Sequence, residues 1–322
     1  MGATTTAFIL AGATATGKTA AAQILAEQMG CSILSADAML VYTGMDIGTA
    51  KPSVAERGAV PYAGIDLVTP AEPFSTGLWI EAAAQALRRP PTFTDNAQTP
   101  TSLIVVGGTG LYIKALTDGI QSAVSQPDVR AKWQTVFERD GIDGLQAALR
   151  QLAPGALETL ADPANPRRLL RALEHVETHG TLPDHWKKED TATASVVVLT
   201  LPREQLHRRI ALRVDKMFSA GFIEEVQALR SAYPSWSSTA AKAIGYAEVC
   251  GLLDNTLTQA EAREQTIIRT RQLAKRQETW FRHQTRAQWL HLTETDTPQA
   301  IAERVGNLWR DHGPTTIRVP GC

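Results

Sequence analysis

The sequence predicts an α/β protein: a parallel sheet covered by helices, with a mainly helical insertion. Three observations predict it. Short apolar runs at 7–10, 31–34 and 102–106 alternate with stretches of helical periodicity. A glycine-containing segment joins the first run to the first helical stretch, as in βα units. Residues 128–180 carry helical patterning only.

Ala7–Leu10 reads as a strand ending at Gly12, followed by a helix from Gly17 to about Gln28 with Ala20, Ile24 and Leu25 on one face. Cys31–Leu34 is a second strand, and Ser102–Val106, bounded by Gly107 and Gly108, a third. Between them, Arg88–Thr101 holds Pro90, Pro91 and Pro100 and reads as a surface loop. Pro127 and Asp128 open the helical block, where Trp133, Val136 and Phe137 recur on one helix and Leu169, Leu170 and Leu173 on another. Val196–Leu199 and Trp289–Leu292 are further strands, Arg203–Glu278 is mostly helical, and the tail from Gly313 is expected to fray. The predicted domains are therefore a sheet core of 1–120 and 195–312, with C-terminal helices, and a helical insertion of 121–194.

The 322 residues suffice for a large domain with an insertion, and the 43% hydrophobic fraction supplies a core. A net charge of −1 leaves nucleic-acid binding to local clusters. Cys31, Cys250 and Cys322 are far apart, which argues against a disulfide framework or a cysteine zinc site. The start has no basic n-region and no run is long enough to span a bilayer, so the expectation is a soluble cytoplasmic protein with no membrane partner.

Gly12, Ala13, Thr14, Ala15, Thr16, Gly17, Lys18 and Thr19 fit G-x-x-x-x-G-K-S/T between a strand and a helix. Glycine lets successive N–H groups point at phosphate oxygens, and the helix start adds its positive dipole end. Lys18 supplies a point charge, and the Thr19 hydroxyl can ligate Mg²⁺. No later strand ends in the acidic Mg²⁺ ligand usual in hydrolytic nucleotide triphosphatases, so plain phosphoryl transfer fits incompletely. Asp37 follows the second strand, at the edge where ligands bind in open parallel sheets. It could hold Mg²⁺, accept a proton from an attacking amine, or cap a following helix. Gly44–Pro52 and Gly107–Tyr112 are two more glycine-containing loops that could line the same edge or be simple turns.

From Arg263 to Arg286 seven basic residues face two acidic ones, with Trp280 and Phe281 among them. This is an RNA-binding face or a solvated helix. His175 and His179 close a helix before Gly180, where imidazoles meet the negative dipole end, so they read as capping rather than metal ligands. Trp79, Trp133 and Trp186 read as packing.

Several strings together resemble the bacterial-type tRNA dimethylallyltransferase family. They are Gly12–Thr19, Ser35–Asp37, Gly44–Pro52, Gly107–Tyr112, Arg168–Glu174, Arg213–Met217 with Gly221 and Glu225–Val226, Lys242–Tyr246, and Thr270–Arg282. They occur in the family's order across nearly the whole chain. The resemblance implies prenyl transfer from dimethylallyl diphosphate, with Mg²⁺, to N6 of the adenosine 3′ of the anticodon, by a monomer. It implies a catalytic set of Asp37 as general base, Arg213 on the diphosphate, and Thr109. It implies contacts with the tRNA anticodon stem-loop at Asp37, Ala38, Met39, Leu40, Thr109, Arg130, Arg167, Arg168, Arg171, Lys242, Gly245, Tyr246, Lys275, Arg276 and Arg282. Ala38 departs from the family's usual Ser after the base; the missing hydroxyl removes one hydrogen bond, worth about 0.5–1.5 kcal/mol, and slows the enzyme without abolishing it. The 88–101 stretch is longer than usual and expected to be a tolerated insertion. A nucleotide isopentenyltransferase needs neither the insertion nor the basic Lys275–Arg282 segment, a kinase needs a lid that the sequence lacks, and an inactive tRNA-binding module would not keep Lys18, Thr19, Asp37 and Arg213 together.

Overall fold

The structure, a computed structural model, describes residues 6–88, 103–118, 127–160, 162–182 and 196–318. Trp186 and residues 89–101 of the expected surface loop lie outside these. Residues 1–119 with 192–322 form one compact unit, and 120–191 a second.

Among the described residues the first unit has seven strands: β1 (Thr6–Gly12), β2 (Ser32–Ser35), β3 (Tyr62–Ala63), β4 (Leu103–Gly107), β5 (Val196–Thr200), β6 (Ala287–His291) and β7 (Thr315–Thr316). Their order is β3-β2-β4-β1-β5-β6, all parallel, with β7 antiparallel to β1. The central strands are buried on both faces, hence the unbroken apolar runs Leu103–Val106 and Val196–Leu199. Helices α1 (Lys18–Met29), α2 (Val54–Arg57), α3 (Thr76–Arg88) and α4 (Gly110–Asp118) belong to the first half of the sheet. After the second unit, made of α5 (Pro127–Leu152), α6 (Ala156–Thr159) and α7 (Pro166–His179), come α8 (Arg203–Ser219), α9 (Phe222–Ala232), α10 (Tyr246–Leu253), α11 (Gln259–Gln284) and α12 (Pro298–His312). No helix among the described residues is long and apolar enough to cross a membrane.

Two expectations are corrected. The buried face of α1 is Ala21, Ala22, Leu25 and Ala26, while Ala20 is exposed and Ile24 half-buried. At about 3.6 residues per turn Ala21, Ala22, Leu25 and Ala26 form one stripe, and that stripe faces the core shared with Leu10, Ile104 and Val305, which leaves Ala20 on the outer side. The tail does not fray at Gly313. Strand β5 pairs with β1 only from Leu10 onward, which leaves the edge at Thr6 and Ala7 open, and Thr316 and Thr315 pair there. The Arg318 N–H then donates to the Leu116 carbonyl (2.7 Å).

The second unit has its own core, in which Trp133, Leu145 and Leu149 of α5 meet Leu169, Leu173 and Val176 of α7. Helix α5 is kinked at Gly141, where φ is 65° and ψ −153°. Asn165 caps α7 by accepting from the Arg167 and Arg168 N–H groups, and Pro166 opens its first turn. At the other end, the His175 and His179 rings stack at 4.3 Å, and no group of three His, Cys, Asp or Glu side chains suited to a metal occurs among the described residues.

Candidate active site

Strand β1 lies between β4 and β5, so the chain crosses to either side of it and opens a crevice at its carboxyl end. The loop Gly12–Thr19 occupies that crevice. Gly12 has φ 145°, and a Cβ there would lie 2.6 Å from the Leu199 carbonyl oxygen, so only glycine fits. Thr16 is buried and its hydroxyl donates to the Ala13 carbonyl (2.8 Å), which closes the loop on itself. Lys18 Nζ donates to the same carbonyl (2.6 Å). Thr19, in the first turn of α1, is exposed.

Arg213 of α8 reaches this loop from the far side of the sequence. Its Nη1 donates to Thr14 Oγ1 (3.1 Å) and its Nη2 to the Thr49 carbonyl (3.0 Å), so it joins the first glycine loop to the second. Burial lowers the Lys18 pKa to about 7, with the Asp37 carboxylate opposing the fall and the Arg213 guanidinium adding to it. Burial likewise lowers Arg213, again with Asp37 opposing. Two cations and one carboxylate thus share one edge.

Asp37 does not cap a helix; its Oδ1 accepts the Met39 N–H (2.9 Å) in a turn. Thr109 fastens this turn to the third loop. Its N–H donates to the Ala36 carbonyl (3.0 Å), and its hydroxyl accepts the Ala38 N–H (3.0 Å). The position of the family's usual Ser is therefore anchored through its backbone. Met39 and Leu40 are half-buried beside it. Beneath, Trp79 is fully buried, stacks on Tyr112 at 4.3 Å and donates to the Ser35 carbonyl (3.0 Å), in keeping with packing.

The Gly44–Pro52 loop is held by groups that sequence reasoning quoted only as part of a motif or missed. Glu225 accepts the N–H groups of Asp46 (3.0 Å), Ile47 (2.6 Å) and Gly48 (3.3 Å). Tyr246 donates its hydroxyl to Glu225 Oε1 (2.6 Å). The buried Lys51 bonds the Tyr42 carbonyl (2.8 Å) and pairs with Asp46 (2.7 Å) and Asp66 (2.5 Å). Tyr246 was expected to touch tRNA, but its side chain is fully buried because Phe222, Trp236 and Glu225 enclose it. Gly245 is buried too, while Lys242 is exposed. Buried Glu248 accepts the Gly245 N–H (2.7 Å) and pairs with Arg269, which fixes this turn.

On α11, Lys275, Arg276 and Arg282 are exposed, whereas Phe281 is fully buried. In the second unit Arg130, Arg167 and Arg168 are exposed. Arg130 (3.6 Å) and Arg171 (3.2 Å) both pair with Glu174, a carboxylate only 6% exposed, so one buried acid orients two arginines.

The comparisons with known proteins fit this geometry. The IPP transferase family model matches residues 40–284, and an isopentenyl transferase model matches residues 5–60. The chain belongs to the IPP transferase family. It is an enzyme of that family, a prenyltransferase, as the resemblance implied. Relatives named tRNA dimethylallyltransferase include one from Streptomyces coelicolor, 37% identical over 87% of this chain and 88% of its own length. Another, from Pelotomaculum thermopropionicum, is 37% identical over 92% of this chain and 94% of its own. The full-length tRNA isopentenylpyrophosphate transferase from Bacillus halodurans matches in structure with a TM-score of 0.64 at 31% identity, over 94% of this chain and 95% of that one.

Proposed function

We propose that this enzyme moves a dimethylallyl group from dimethylallyl diphosphate to N6 of the adenosine 3′ of the anticodon in tRNA, releasing diphosphate. The observation that carries the reading is that Lys18 and Arg213 both bond the Gly12–Thr19 loop, at the Ala13 carbonyl and the Thr14 hydroxyl, while Asp37 follows the end of β2 at the same sheet edge: two basic groups for a diphosphate and one carboxylate for an amine. Its relatives, named for transfer to tRNA, support the acceptor.

The adenine N6 lone pair is delocalised into the ring, so the amine is a weak nucleophile. Asp37 accepts the N6 proton as the bond from N6 to the prenyl C1 forms and the C1–O bond breaks, its electron pair leaving on the diphosphate. The developing charge is met by Lys18, Arg213 and the backbone N–H groups of 13–19 other than that of Thr14, which Gln277 holds. The loop grips a leaving group here, not a phosphoryl group in transfer. Mg²⁺ fits this site: the exposed Thr19 hydroxyl offers one oxygen, and the ion commonly completes its shell with substrate phosphates and water. When bound it would neutralise part of the diphosphate charge.

The reactive adenine must leave its stack to reach Asp37. Asp37, Ala38, Met39, Leu40 and Thr109 would receive it. Lys242, Lys275, Arg276 and Arg282 on the first unit, and Arg130, Arg167, Arg168 and Arg171 on the second, would hold the phosphates of the anticodon stem-loop. The purified protein is tested with Mg²⁺, labelled dimethylallyl diphosphate, and either unmodified tRNA or AMP. Label in tRNA alone is the expected result; label in AMP would overturn the acceptor assignment.

A further inference from the structure

Gln277 lies within the basic Lys275–Arg282 segment of α11, yet its side chain turns away from that exposed face. Its Oε1 accepts the Thr14 N–H (2.9 Å), and its Nε2 donates to the Gly108 carbonyl (3.0 Å). The two bonds use both ends of one amide to bridge the first glycine loop to the third. Removing the amide removes both bonds at once.

The fit is close on the other side as well. A Cβ on Gly108 would lie 2.3 Å from Gln277 Nε2, and one on Gly110 would lie 2.1 Å from the Trp280 ring. Gln277 and Trp280 are one helical turn apart, so a single face of α11 seats on the third loop at two points. Thr14 is therefore held twice: by its N–H from Gln277 and by its hydroxyl from Arg213 (3.1 Å). Its neighbours in sequence supply the N–H groups assigned above to the diphosphate.

We infer that Gln277 is a positioning residue that fixes the shape of the diphosphate cradle and makes no contact of its own with tRNA. This rests on the reading of Gly12–Thr19 as that cradle. Phosphate recognition by backbone N–H groups depends on their convergence, so a loop released at Thr14 should bind diphosphate less well while the exposed face of α11 is unchanged.

The test is calorimetric titration of Mg²⁺ and inorganic diphosphate into the full chain, beside tRNA binding measured on the same preparations. Gln277→Met keeps the length but loses both bonds. It is expected to weaken diphosphate binding about tenfold, a typical loss for two hydrogen bonds, and to leave tRNA affinity within roughly twofold. Gln277→Glu keeps the acceptor for Thr14, loses the donor to Gly108 and adds a negative charge beside the anion. It should weaken diphosphate binding at least as much, and it decides the matter if Gln277→Met does not fold. Unchanged diphosphate binding, or a loss confined to tRNA, overturns the inference. A wild-type chain that binds no diphosphate overturns the cradle reading itself, and the inference with it.

Discussion

The Arg213 guanidinium and the Thr14 hydroxyl meet at 3.1 Å across 199 positions of sequence. The second nitrogen of the same guanidinium holds the Thr49 carbonyl at 3.0 Å. A planar fork can make both bonds and still present charge to a ligand; an ammonium group cannot copy that geometry. Arg213→Lys is therefore expected to raise the KM for the prenyl donor roughly ten- to a hundredfold, with tRNA affinity unchanged. Steady-state kinetics with each substrate varied in turn would show it. A rise in the KM for tRNA alone would contradict the assignment.

Lys18 sets a pH dependence. With its pKa lowered to about 7, its amine is largely neutral in the empty site above that pH. A bound diphosphate favours the charged form, so binding at pH 8 should take up a proton, and affinity should fall by up to a factor of about ten per pH unit above 7. Titration in two buffers of different ionisation enthalpy measures that uptake; none at pH 8 would count against it. The same shift bears on stability. The unfolded chain holds this proton to higher pH than the folded one, so the Lys18 contribution to stability rises as pH climbs from about 7 toward the ordinary value of 10.5.

Glu225 carries the Gly44–Pro52 loop. Glu225→Ala leaves the N–H groups of Asp46, Ile47 and Gly48 and the Tyr246 hydroxyl without their partner. A stability loss of roughly 2 kcal/mol is expected, since unsatisfied buried donors cost about 1–3 kcal/mol each and some here can reach water. Urea unfolding checks it. Tyr246→Phe should also destabilise the protein and leave tRNA affinity nearly unchanged, because the ring has no exposed surface.

The exposed cations should behave in the opposite way. Replacing Lys275, Arg276 and Arg282 together by Ala leaves the core residues Ala274 and Phe281 in place, so stability should hold. The dependence of tRNA affinity on salt should become shallower by about 0.7–0.9 for each phosphate that is no longer neutralised. Binding measured over a range of salt concentrations tests this; an unchanged slope would place the tRNA elsewhere.

The legible parts of this protein are those in which cause and effect are close in sequence. The strand before Gly12 and the helix after Gly17 follow from local patterning, and the seven residues of β1 agree with it. Asp37 could be placed at the sheet edge because it follows a strand directly. Strand β7 was missed because two threonines carry no periodicity; it exists because β5 leaves the start of β1 unpaired. Gln277 was missed for a different reason. Its partners are Thr14 and Gly108, 263 and 169 residues away, and in sequence it is one polar residue among the charges of a basic helix. The tRNA contact expected at Tyr246 came from the resemblance alone, which carries no information about burial; the packing of Phe222 and Trp236 shows the ring enclosed.

The most direct test compares wild type with Asp37→Asn by single-turnover transfer from dimethylallyl diphosphate to unmodified tRNA, with the product nucleoside identified by mass spectrometry. Wild type should yield N6-dimethylallyladenosine at the position 3′ of the anticodon. Asp37→Asn should bind diphosphate and tRNA within a fewfold of wild type and transfer about 10²–10⁴ times more slowly, as expected when a general base is lost. Transfer by Asp37→Asn at the wild-type rate, or a prenyl group on any other nucleoside, would contradict the assignment of Asp37 as the base that takes the N6 proton.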